Sequence, residues 1–203
     1  MKKGVKILII AICVIAVLVG GYFLTLAIIR GSALKHVDNM FGAIKSGDQT
    51  QIEQYIESSE DSSSNDEQTI KKEDEELFKT MLGNVNYKVI STKTKFNKVN
   101  VKLEVTNKDI NKVLQTYFTK VFSLAFSDAF DENNTEEDLA NKTQDYLKEL
   151  YNSDEIQTQT NELNLELVKE SGKWKINYDK NEFLNAILPG IGDISNSLSG
   201  ISE

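Results

Sequence analysis

The sequence predicts an α+β protein in which one membrane-spanning helix precedes a single domain of helices and antiparallel strands. Residues 7–29 form an apolar run without a charged residue. As a helix this run is about 34 Å long, enough to cross a hydrocarbon core of roughly 30 Å. Farther along, two pairs of segments alternate apolar and polar residues, which is the period of strands with one buried face. Segments with a helical period separate the two pairs, as in an α+β domain.

The charges beside the apolar run predict its orientation. Lys2, Lys3 and Lys6 precede the run, and positive residues next to a span tend to remain in the cytoplasm. We therefore predict a cytoplasmic tail at residues 1–6, a single-pass signal anchor in the cell membrane, and an extracellular domain. The alternative is a cleaved signal peptide, for which the Thr-Leu-Ala at residues 25–27 is a poor cleavage site.

The composition argues against functions that require binding to polyanions. The chain has 31 acidic and 23 basic residues, a net charge of −8, one histidine and one cysteine. This balance gives the domain no electrostatic reason to bind nucleic acid and predicts repulsion from anionic lipid headgroups. Cys13 lies within the apolar run, so the outer domain has no disulfide, which suits a bacterial envelope protein.

Helical periodicity predicts a first domain helix at residues 32–45, either separate from the membrane helix or continuous with it through Gly31. Gly47 suits the left-handed position that ends such a helix, and a short helix is expected at residues 50–56. Residues 57–76 are rich in serine and acidic residues and cannot bury much apolar surface, so we expect a mobile acidic loop there.

The later segments predict two hairpins and further helices. Alternation predicts one hairpin from residues 85–89 and 99–105 and another from residues 163–167 and 174–178. The further helices are expected at residues 73–82, 109–130, 136–151 and 181–188. The outer domain is thus predicted to span residues 32–188, followed by a flexible Gly- and Ser-rich tail at residues 189–203.

Two stretches resemble the nuclear-transport-factor-two-like superfamily, whose fold is the cystatin-like cone. Phe-Gly-Ala-Ile-Lys-Ser-Gly-Asp at residues 41–48 is similar to its first helix, and the leucine-rich strand with Gly-Lys-Trp-Lys-Ile at residues 165–176 is similar to its last hairpin. The chain looks closest to uncharacterised, membrane-anchored, extracytoplasmic members from Gram-positive bacteria. The resemblance implies a curved antiparallel sheet packed on helices around an apolar pocket. The helical insertion at residues 109–151 departs from the simplest form of the fold and leaves the strand order open.

The residue types provide no catalytic constellation, so we predict no enzyme activity, no metal site and no cofactor. His36 is expected on the polar side of the first domain helix. Isomerase members of the superfamily use a carboxylate base in an apolar pocket, and Glu104 and Asp128 are the acids that we consider for such a role. Alternation puts Glu104 on the wet face of its strand, and Asp128 is expected on a helix surface.

Aromatic residues are the main remaining signal of function. The helix at residues 109–130 has more of them than one sheet face would cover, and the first interpretation is that they fill the core. The alternative is that some line a pocket or an exposed partner surface. The candidates are Tyr117, Phe118, Phe122, Phe126 and Trp174.

Three hypotheses of function follow. The first is a membrane-anchored, non-catalytic domain that binds an envelope protein or a small ligand. The second is a structural scaffold subunit of an envelope assembly, of the conjugation or secretion type, in which similar anchored cone domains occur. The third is an enzyme with a pocket carboxylate, which requires a buried acid. Fold resemblance alone does not choose among them, and the sequence does not predict the oligomeric state.

Overall fold

The computed structural model describes residues 3–56, 72–128 and 136–192. The helices are α1 (Lys3–Ser46), α2 (Gln49–Ile56), α3 (Lys72–Gly83), α4 (Ile110–Asp128), α5 (Glu136–Asn152) and α6 (Lys180–Ile187). The strands are β1 (Asn86–Thr94), β2 (Lys98–Lys108), β3 (Thr158–Glu170) and β4 (Lys173–Asn177). The strands form one curved antiparallel sheet in the order β1-β2-β3-β4, so the predicted α+β class and both predicted hairpins are confirmed.

The apolar run and the first domain helix are one continuous helix. α1 has 44 residues, which is about 66 Å of helix, and it passes through Gly31 without a break. Its apolar part is long and apolar enough to cross a membrane, a property that signal sequences share. Its last turns pack on the sheet, where Val37, Met40 and Phe41 are buried. One element therefore belongs to both the apolar segment and the core of the domain.

The sheet is a simple meander with one apolar and one polar face. β2 pairs with β3 so that Val101 lies opposite Leu165 and Leu103 opposite Leu163, and all four are buried. This face packs with α1 and α6 in the main core. The consecutive strand order answers the question that the sequence left open, because the α4–α5 insertion joins two strands that are direct neighbours.

Several boundaries of helices and loops differ from those predicted from the sequence. α3 begins at Lys72, so the last residues of the expected acidic loop are helical, and residues 57–71 lie outside the described part. Gly47 has a φ of +65°, as expected for the end of a helix, and a Cβ there would lie 2.7 Å from the Cα of Lys79. In the expected tail, Pro189 is buried, and residues 193–203 are not described.

α4 departs furthest from the prediction. Ile110 and Val113 are buried as expected, but Phe118 is 52% exposed, Phe122 is 74% exposed and Phe126 is 72% exposed. The prediction that these phenylalanines fill the core is therefore wrong. The physical reason is placement: α4 packs mainly against α5 in a helical hairpin, so only its first turns reach the body of the domain.

Candidate functional site

Buried polar groups at the end of β2 fix the base of the α4–α5 hairpin. The side-chain amide of Asn107 donates to the main-chain oxygen of Ile187 over 2.7 Å and to that of Met81 over 3.2 Å. The ammonium of Lys108 donates to the main-chain oxygen of Ile156 over 3.1 Å. Asn107 is 1% exposed and Lys108 is 8% exposed, so these bonds satisfy groups that water does not reach.

The first turn of α4 is held by a cap and by the chain segment after α6. The carboxylate of Asp109 accepts from the N–H of Lys112 over 3.2 Å, and the N–H of Ile110 donates to the oxygen of Pro189 over 2.8 Å. Gly190 has a φ of +87°, and a Cβ there would lie 2.7 Å from Asp109 Oδ1. Only glycine permits this close approach.

A second, small core supports the hairpin from behind. It consists of Val113, Leu150, Tyr151 and Ile156, which are all buried. Among the described residues, the hydroxyl of Tyr151 has no hydrogen-bond partner. Burial, and then the charge of Asp109, raise the pKa of the Tyr151 phenol far above its usual range. The phenol therefore stays neutral, as expected in a dry apolar core.

Three phenylalanines at a four-residue spacing form an exposed stripe on α4. We call this stripe the α4 face and define it as Phe118, Phe122 and Phe126. Residues four apart lie on one side of a helix, and each of these three is more than half exposed. Contiguous exposed apolar side chains mark interaction sites on many proteins. The α4 face is therefore the candidate functional site.

The other two candidates lie elsewhere. Tyr117 is half-buried against the second core, and its ring centroid is 5.6 Å from that of Phe118. Trp174 on β4 packs against the main core, and its Nε1 donates to Ser32 Oγ over 3.0 Å. The structure thus places Tyr117 beside the α4 face and Trp174 in another part of the domain.

Trp174 borders a groove of about 490 Å³ between α1, α2 and the turn of the second hairpin. His36 and Tyr55 also line this groove, with their ring centroids 5.1 Å apart. His36 is half-buried there rather than fully solvated on a polar helix face. The expectation for His36 is therefore corrected, because α2 folds back against this side of α1.

A groove of about 620 Å³ lies along the sheet and is lined mainly by polar residues. Charged residues on this face pair across strands: Lys102 contacts Glu162 at 2.7 Å, and Lys98 pairs with Glu166. Glu104 lies opposite Glu162 on this polar face, as alternation predicts. Such a surface does not provide the apolar surroundings that a carboxylate base needs.

Two sequence predictions remain, one on Asp128 and one on metal binding. The side chain of Asp128 lies outside the described part of the chain. Within residues 3–56, 72–128 and 136–192, no group of three or more histidine, cysteine, aspartate or glutamate residues is placed to hold a metal ion.

One aromatic contact was not predicted from the sequence. Phe96 lies in the turn between β1 and β2 and is 60% exposed, and its ring centroid is 5.6 Å from that of Tyr22 in the apolar part of α1. The available signal was an aromatic residue between Lys95 and Lys98 in an otherwise polar turn. Only the fold reveals that this turn reaches α1.

Comparison of the chain with family models, with curated proteins and with solved structures finds no match. The candidate site is therefore assigned from its own geometry.

Proposed function

We propose that the chain is a single-pass, membrane-anchored protein whose extracytoplasmic domain is a non-catalytic binding module for a partner protein. The apolar part of α1 supports the anchor. Lys2, Lys3 and Lys6 support a cytoplasmic N-terminus. The exposed α4 face carries the binding role, because burying large aromatic side chains on a partner is the main source of affinity at protein interfaces.

The shape of the α4 face favours a protein over a small ligand. From Phe118 to Phe126 the stripe extends about 12 Å along a convex helix surface. Small molecules bind in concave, mostly apolar pockets, whereas an apolar helix face suits a groove or a second helix on another protein. The grooves described on the sheet and beside Trp174 are open and partly polar, so they support the small-ligand alternative less well.

We further propose that the domain is a cystatin-like cone of the nuclear-transport-factor-two-like type. The packing of α1 on a curved four-stranded antiparallel sheet supports this proposal. The α4–α5 hairpin is then an insertion between β2 and β3 that carries the binding face. Glu104 lies on the polar face of the sheet, opposite Lys88 and Glu162, which supports a role without catalysis.

A second candidate function is that of a scaffold subunit in an envelope assembly of the conjugation or secretion type. The regular spacing of the α4 face favours it, because a stripe with a four-residue repeat can pack against the same stripe of a second copy. The two candidates differ in the occupant of the α4 face, which is a different protein in the first and the chain itself in the second.

The test is site-specific photo-crosslinking of the full chain in cells of its native host. A photoreactive phenylalanine analogue replaces Phe122, and the matched control carries it at Lys112, which is exposed on the same helix. We expect a discrete adduct from position 122 that Phe118→Ser abolishes, and no adduct from position 112.

Mass spectrometry of the adduct separates the candidates. A different protein supports the binding module, and a second copy of this chain supports the scaffold. Equal adducts from both positions, or none from position 122, would contradict both.

A further inference from the structure

Both hairpin turns lie at the end of the sheet where α1 enters the domain. The turn between β1 and β2 reaches α1 through the contact of Phe96 with Tyr22. The turn between β3 and β4 is its neighbour, since the N–H of Lys169 donates to the oxygen of Asn97 over 2.8 Å. The nearby Trp174 donates to Ser32 on α1. This end of the sheet therefore faces the apolar part of α1.

The opposite end of the sheet lies near the last turn of α1. Lys45 donates to Asn86 Oδ1 over 2.8 Å at the beginning of β1. The beginning of β3, next to Gln157, pairs with the end of β2 at the base of the α4–α5 hairpin. Because α1 runs along the sheet from one end to the other, the two ends differ in their distance from the apolar segment.

We propose that the turn between β1 and β2 inserts Phe96 into the outer leaflet of the lipid bilayer that holds α1. Tyr22 is seven residues inside the apolar run, about 10 Å along the helix from its end at Ile29. A ring whose centroid is 5.6 Å from that of Tyr22 lies at a similar depth, so an anchored α1 carries Phe96 below the headgroups, into the outer part of the acyl-chain region. This inference rests on the proposed membrane anchorage and adds a second lipid contact to it.

The charge of this end of the domain agrees with a lipid surface. Lys93 and Lys95 precede Phe96, and residues 93–98 contain no acidic residue, although the whole chain has a net charge of −8; Lys98 in the same segment pairs with Glu166 of β3. Lysines beside an inserted aromatic residue can reach lipid phosphates while the ring is buried. The repulsion from anionic headgroups that the net charge predicts does not apply to this edge, because short-range local charge dominates at salt concentrations that screen distant groups.

The test uses the full chain reconstituted in phosphatidylcholine vesicles that contain lipids brominated near the headgroup. In a Trp174→Phe background, one variant carries Phe96→Trp and the matched control carries Gln157→Trp, an exposed position at the opposite end of the sheet. We expect blue-shifted emission and several-fold stronger bromine quenching at position 96 than at position 157. Equal quenching at the two positions, including none at either, would overturn the proposal.

Flotation of the same vesicles on a density gradient distinguishes loss of the membrane anchor from loss of the lipid contact of Phe96. A chain that does not float with lipid lacks the anchor, and the lipid contact of Phe96 fails with it. A chain that floats but shows equal quenching keeps the anchor and loses only the inserted turn.

A double-cysteine variant guards against misfolding of the tryptophan variants. Tyr22→Cys with Phe96→Cys, in a Cys13→Ala background, is treated with a short bifunctional maleimide in vesicles. Intramolecular cross-linking supports the contact at the depth of Tyr22. Its absence, with both thiols still reactive to a small maleimide, would overturn it.

Discussion

The side-chain amide of Asn107 donates a hydrogen bond to the main-chain oxygen of Ile187 over 2.7 Å. This bond joins the end of β2 to the end of α6, and the same amide reaches the main-chain oxygen of Met81 in α3. Asn107 is 1% exposed, so no water replaces it. The base of the α4–α5 hairpin is thus a buried polar junction, and the direction in which the α4 face points depends on it.

Asn107→Ala is expected to lower the free energy of unfolding by about 1–3 kcal/mol, because the main-chain oxygens of Ile187 and Met81 lose a donor that is itself buried. The matched control is Asn161→Ala, whose amide donates to the oxygen of Asn185 over 2.8 Å at an accessible site. There we expect a loss of at most about 1 kcal/mol, since water can replace the amide. Chemical denaturation of the full chain in detergent micelles measures both. A loss at Asn161 as large as that at Asn107 would contradict the prediction.

Phe122→Ala is expected to change the free energy of unfolding by less than about 0.5 kcal/mol, because the side chain is 74% exposed. Leu150→Ala, in the second core behind the same helix, is expected to cost about 2–5 kcal/mol, since Leu150 is 1% exposed and its removal leaves a cavity. Denaturation curves of the two variants measure both changes in the free energy of unfolding. A large loss from Phe122→Ala would mean that the α4 face is core and not a binding surface.

Tyr151→Phe is expected to raise the free energy of unfolding by about 1 kcal/mol at neutral pH. The substitution removes a buried hydroxyl that has no hydrogen-bond partner among the described residues, and it keeps the ring that fills the second core. Tyr117→Phe, at a half-buried position on α4, is the control and should be close to neutral. The prediction fails if Tyr151→Phe is destabilising by thermal unfolding.

Alkaline pH is expected to destabilise the domain. Burial, followed by a hydrogen bond to Asp38, raises the pKa of Tyr87, and burial also raises that of Tyr151. Below the unfolded phenol pKa of about 10, both states hold these protons and stability is unaffected. Above it the unfolded chain releases them first, so the free energy of unfolding falls as pH rises. Tyr87→Phe combined with Tyr151→Phe should flatten this fall in denaturation curves taken between about pH 9 and pH 11; an unchanged slope would argue against it.

Gly190→Ala is expected to cost about 1–3 kcal/mol, because the backbone there has a φ of +87° and the new Cβ would collide with Asp109 Oδ1. The control is Gly42→Ala on α1, where a Cβ meets nothing within 4 Å. Alanine stabilises a helix interior by roughly 0.5–1 kcal/mol relative to glycine, so the control should unfold at a higher temperature. Destabilisation of equal size at both positions would show that the turn at Gly190 does not constrain α4.

Local patterns predicted most of the secondary structure. The alternation of Val99, Val101 and Leu103 is a property of consecutive residues, and it correctly predicted a strand with one buried face. Gly47 was correctly assigned a left-handed backbone because a helix end favours glycine there. The apolar run was likewise recognisable from composition alone, since its length and lack of charge require no tertiary information.

The sequence named the residues of the α4 face as candidates but did not predict that they are exposed. Phe118 and Phe122 were named from the excess of aromatic residues, but a stripe at helical spacing has the same sequence pattern whether a core or solvent faces it. Periodicity reports which side chains share a face and contains no information on what covers that face. The meeting of Phe96 with Tyr22 was not predictable for a similar reason, since a turn and a helix far apart in sequence are brought together only by the sheet.

The sequence by itself thus determined the apolar segment, the α+β class, the two hairpins and the helical insertion, because each depends on interactions between near neighbours in the chain. Tertiary structure alone decided that α1 is continuous from the apolar segment into the core, that β2 pairs with β3, and that α4 leaves its phenylalanines exposed. These three features depend on which surfaces cover one another. Such long-range packing depends on the shape and burial of the whole domain and not on the period of any one segment.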